Sequence, residues 1–84
     1  ALRQFHKQLM QKAQDAVSIQ PVEKRDYSST IIAINEVDVP NAKIELRKFR
    51  EKFDKQFSSN PKKTHVYCLG IQFFSLQNNI VMKE

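Results

Sequence analysis

The 84-residue chain carries 14 basic and nine acidic side chains, a formal net charge of +5, 40% apolar residues and 27% charged ones. That balance belongs to a soluble globular domain, and no apolar run approaches the roughly 18 residues of a membrane span. A single glycine excludes glycine-rich phosphate loops, and a single cysteine excludes an internal disulfide.

A domain of this length covers only about 60% of the surface its unfolded chain would expose, so its core is thin. The chain opens at Ala1 directly into a helical pattern, and no stretch of it reads as a signal peptide. A cytoplasmic location is expected. Residues 1–84 read as one small domain excised from the C-terminal end of a longer protein. The charge is uneven: residues 1–38 hold five basic and five acidic side chains, and residues 39–84 hold nine and four. All of the positive excess therefore lies in the second half.

Residues 2–19 place Leu2, Phe5, Leu9, Ala13, Ala16 and Val17 at helical intervals among Gln, Lys and Arg, which predicts an amphipathic helix. Pro21 and the polar run "PVEKRDYSS" read as a connection. "STIIAI", residues 29–34, has the β-branched density of a strand, with Thr30, Ile32 and Ile34 on one face and Ile31 and Ala33 on the other.

A second helix is predicted from Asp38 to Asn60 and Pro61, with Asp38 capping its first amides and Pro40 in its first turn. Its inward stripe is Ala42, Leu46, Phe49, Phe53 and Phe57. If that stripe is core, Phe49→Ala or Phe53→Ala costs about 3 to 5 kcal/mol.

"THVYCLGIQFFSL", residues 64–76, reads as a second strand. Tyr67, Leu69, Ile71 and Phe73 share the face expected to meet the core, and Val66, Cys68, Gly70, Gln72 and Phe74 share the other. Cys68 reads as a small buried hydrophobe. Gly70 in mid-run reads as a bulge or a close backbone approach. "QNNIVMKE" at the end is either a short added strand or a frayed tail.

The expected fold class is α/β (α+β) in the order α-β-α-β, with a small two-stranded sheet and two helices packed on one face. The tail or a partner could extend that sheet. Two strands leave open edges and one open face, so the face of Val66, Cys68, Gln72 and Phe74 is expected to meet a second copy or the rest of a longer protein.

"HKQLMQKAQDAV", "EKRDYSS", "KIELRKFREKF" and "VYCLGIQFFSL" together resemble the C-terminal domain of an uncharacterised, multi-copy bacterial family. Its longer members are transcription-regulator-like proteins with helix-turn-helix or winged-helix regions upstream. The resemblance runs from Leu2 to Leu76. Its most specific pieces are RD-x-S-S at Arg25, Asp26, Ser28 and Ser29 and the ending VY-x-L-x-IQ-x-F. Ser75 stands where that pattern usually has Pro, and Gly70 where it usually has a polar side chain. The resemblance implies a regulatory or scaffolding module, a domain of unknown function with no catalytic residue assigned.

Candidate chemistry is sparse. His65 and Cys68 lie three apart, which on a strand sends them to opposite faces, against both zinc binding and a cysteine nucleophile. No metal, cofactor or enzymatic role is expected. Arg25 could clamp a carboxylate or phosphate, or it caps a helix end or pairs with Asp26.

Lys43, Arg47, Lys48, Arg50, Lys52, Lys55, Lys62 and Lys63 are the candidates for nucleic acid, although Glu45, Glu51 and Asp54 interleave with them and a solvated helix face is the plainer reading. Tyr67, Phe73 and Phe74 recur in the manner of base-stacking residues, without the basic-Gly-aromatic signature of that fold. The leading expectation is a non-catalytic module for dimerisation or for relaying a state to an upstream DNA-binding region. The alternative is direct nucleic-acid binding through helix 40–57 with Lys62 and Lys63. No membrane partner is expected.

Overall fold

In a computed structural model of the chain, the structure describes residues 1–77; the tail read as a strand or a frayed end lies, beyond Gln77, outside the described residues. Two helices dominate, α1 over Leu2–Ile19 and α2 over Val39–Ser58, with one-turn 3-10 helices at Val22–Lys24 and Glu36–Asp38. No strand forms among the described residues. The expected α/β architecture with its two-stranded sheet is therefore overturned: the described chain is all-helical.

The physical reason lies in where each segment finds its hydrogen bonds. A helix satisfies its backbone within four residues, whereas an extended segment needs a ladder partner from elsewhere in the chain. Among the described residues, none of the backbone pairs outside the helices falls in 29–34 or 64–76. The β-branched density of "STIIAI" is a preference for a pleated, half-covered surface, and without that surface it does not make a strand.

Both helices begin and end where their residues dictate. α1 has no side-chain cap at Ala1; at its other end the Gln20 N–H closes on the Ala16 carbonyl at 2.9 Å, and Pro21 follows in extended backbone. Asp38 occupies the N-cap of α2 as expected but makes no side-chain cap bond; Pro40 sits in the first turn. The side-chain bond that organises this corner comes from Asn35, whose Oδ1 accepts from the Val37 N–H at 3.0 Å.

At the far end of α2, three side chains turn back on its free carbonyls. The Ser58 hydroxyl donates to the Asp54 carbonyl at 2.5 Å, and the Ser59 hydroxyl to the Gln56 carbonyl at 3.2 Å. The Lys63 ammonium donates to the Ser58 carbonyl at 2.5 Å and also to that of Asn60, a cation at the negative end of the helix dipole.

The two helices do not pack on each other. The elements in contact are α2 and the turn at Glu36–Asp38. No described residue is buried; Leu9, Ala16, Arg25, Val39, Ala42 and Leu46 are half-buried. The chain exposes 8622 Å², against about 5200 Å² for a compact monomer of 9.9 kDa. Its radius of gyration is 15.6 Å, against about 12 Å for a compact chain of this length.

The phenylalanine stripe expected in a core is open to water, with Phe49 54%, Phe53 39% and Phe57 63% exposed. The core-sized penalty expected for Phe49→Ala or Phe53→Ala therefore does not apply inside a single chain. Cys68, read as buried, is exposed as well.

Candidate interaction surface

Residues 64–76 leave α2 through a short turn in which Asn60 Oδ1 accepts from the Lys62 N–H at 2.9 Å. Beyond it the chain carries the densest apolar sequence of the molecule outside any regular element. Val66, Cys68, Gln72 and Phe74, the residues expected at an interface, are all exposed. So are Tyr67, Leu69, Ile71 and Phe73, the face expected to be core.

Gly70 needs no special backbone, since no glycine has positive φ. A Cβ built there would meet only Gln72 Nε2, at 3.1 Å, the far end of a flexible side chain. The bulge read from this glycine is not present.

Arg25 settles into the helix-capping reading. Its Nε donates to the Gln20 carbonyl at 3.0 Å, capping the end of α1, and its guanidinium lies 5.4 Å from the centre of the Tyr27 ring. The Tyr27 hydroxyl in turn donates to the Ala13 carbonyl at 2.6 Å. The two side chains fasten the connection to α1. Periodicity did not find Tyr27, because its partner is a mid-helix carbonyl that no sequence pattern marks.

His65 Nδ1 bonds its neighbour Thr64 Oγ1 at 2.9 Å rather than turning toward Cys68. No cluster of metal-binding side chains exists among the described residues.

The basic candidates divide. Lys43, Arg47, Lys48, Arg50 and Lys55 lie along α2, while Lys62 and Lys63 follow its end. An open groove of ≈ 540 Å³ runs between Lys48, Glu51, Lys52, Lys55 and Gln56, so an acid sits among its cations. Lys48 pairs with Glu45, three residues before it, at 3.3 Å. Lys63 is committed to the carbonyls of Ser58 and Asn60. Phosphate binding needs several free cations on one surface, and this arrangement neutralises part of that set.

No described helix is long and apolar enough to cross a membrane. No curated protein and no solved structure matches the chain. The family comparison does: its match covers residues 1–76, and the chain belongs to the family described as a domain of unknown function, DUF4423.

Proposed function

We propose that this domain is a non-catalytic interaction module of a bacterial transcription-regulator-like protein, acting in self-association or in relaying a state to an upstream DNA-binding region. The observation that carries this reading is the open apolar surface. No described residue is buried, and Val66, Tyr67, Phe74 and Leu76 stand in water together with the phenylalanines of α2.

Monomers rarely expose contiguous apolar patches beyond a few hundred Å², and larger ones mark places where another surface docks. The exposed side chains Val66, Cys68, Gln72 and Phe74 are the proposed contact, with a second copy as the occupant. The regulatory setting rests on the likeness of "RDYSS" and "VYCLGIQFFSL" to the C-terminal domains of such proteins.

Light scattering across a range of concentrations tests the reading. Association is expected as concentration rises, weakened by Val66→Asp or Phe74→Asp. A strict monomer at about 1 mM, where only association weaker than about 4 kcal/mol escapes notice, overturns it.

A further inference from the structure

α2 carries a pattern that defines how two copies meet. Val39, Leu46 and Phe53 recur every seven residues, and so do Ala42, Phe49 and Gln56 three places later. These are the a and d positions of a heptad, the seam along which two helices wind together. Gln56 is the one polar residue among the six. All six lie within or at the start of the continuous helix Val39–Ser58.

Two independent observations show what fits this seam. The first is shape. Phe49, Lys52, Phe53 and Gln56 enclose an open cavity of ≈ 180 Å³ on the helix surface. These four residues stand at d, g, a and d, and in a parallel pair that quartet is the hole that receives the a-position side chain of the facing helix at the same level. The incoming knob is then Phe53 of a second copy. The rings of this stripe already lie against one another in a tilted ladder, Phe49 to Phe53 at 5.9 Å and Phe53 to Phe57 at 4.9 Å.

The second observation is charge. In a parallel pair, each g residue faces the e residue five places on in the partner. Here the g positions are Asp38, Glu45 and Lys52, and the e positions are Lys43, Arg50 and Phe57. Asp38 then meets Lys43 and Glu45 meets Arg50, opposite charges in both cases and twice over by symmetry. An antiparallel pair sets each edge against its own copy: on the g edge Glu45 meets Lys52, an attraction, but on the e edge Lys43 meets Arg50, both basic, so repulsion offsets what the parallel pair gains in all four of its charge contacts. The intrahelical Glu45–Lys48 pair joins side chains that are 71% and 72% exposed, so Glu45 is free to turn across the seam at little cost.

We infer that α2 is a parallel self-pairing helix, with Phe53 seated in the hole of Phe49, Lys52, Phe53 and Gln56 and with the Asp38–Lys43 and Glu45–Arg50 contacts fixing direction. This deepens the proposed function and rests on it: self-association is the common premise, and the surface and orientation are new.

The test uses the full 84-residue chain. In a Cys68→Ser background, Gln56→Cys places a thiol on the seam near the C-terminal end of α2. In the parallel pair the two thiols face each other; in an antiparallel pair about 17 residues of helix, roughly 25 Å, separate them. Mild oxidation is expected to give a disulfide-linked dimer. Glu45→Lys and Arg50→Glu are each expected to weaken association about tenfold, and the double variant to restore it. A dimer that neither cross-links at residue 56 nor responds to the charge exchange overturns the parallel seam while leaving self-association standing. A chain monomeric at every concentration overturns both.

Discussion

α2 and residues 64–76 are both rich in large apolar side chains and both open to solvent, yet one is a finished helix and the other has no regular structure. The difference is where their hydrogen bonds come from. α2 closes its backbone locally, starts on the Asn35 and Pro40 corner and ends on the carbonyls claimed by Ser58, Ser59 and Lys63. It needs a partner only for its side chains. Among the described residues, the 64–76 segment forms no backbone ladder and its apolar side chains stay exposed. One chain therefore holds an element whose backbone is finished and an element whose backbone is not.

The sharpest way to break that contrast is Phe53→Ala. Its ring is the central knob and part of the hole, so truncation is expected to weaken self-association by about 2 kcal/mol or more, read by light scattering. The helicity of the dilute chain, read by circular dichroism, should change little, because inside the monomer the ring meets its helix neighbours Phe49 and Phe57 at the surface rather than a core. A collapse of helicity instead would place Phe53 in a core within the single chain.

Phe74→Asp is the matching test on the other region. It is expected to weaken association by about 1 to 2 kcal/mol, the range for removing one exposed apolar contact at an interface, with α2 untouched.

Smaller effects separate the two ends of the connection between helices. Tyr27→Phe removes the bond to the Ala13 carbonyl while keeping the ring beneath Arg25. A loss of about 0.5 kcal/mol in the thermal stability of helical signal is expected, at the low end for a hydrogen bond because the site is exposed. Lys63→Ala removes the ammonium from the end of α2 and should cost about 0.3 kcal/mol, less at high salt. Gly70→Ala is expected to change nothing measurable, since Gln72 swings away from the added methyl. A marked loss there would show that the glycine backbone is needed in the associated form.

The helices were legible in the sequence for the same reason that they form. The spacing from Leu2 to Val17 gave the limits of α1, and Pro40 with the Asn60–Pro61 stop gave those of α2 within a residue or two. Both depend on neighbours in the chain. The strands read at 29–34 and 64–76 failed because apolar, β-branched composition reports a taste for a covered surface, and whether that surface exists is decided elsewhere. The same error placed Phe49, Phe53 and Phe57 in a core and Cys68 out of solvent. Alternation set Val66, Cys68, Gln72 and Phe74 apart from Tyr67, Leu69, Ile71 and Phe73, but both sets are exposed, so the period of two did not distinguish them. The hole around Phe53 was overlooked because the four-residue stripe from Ala42 to Phe57 masked the seven-residue repeat beneath it. Tyr27 and Asn35 carried no periodic signal at all.

Amide hydrogen exchange measured at low and at high protein concentration tests the contrast most directly. The account predicts that the amides of 64–76 exchange freely in the dilute chain and become protected on concentration, while those in the middle turns of α2 are protected throughout. Strong protection of 64–76 in the dilute monomer would contradict it, because the segment would then have found its partners within its own chain.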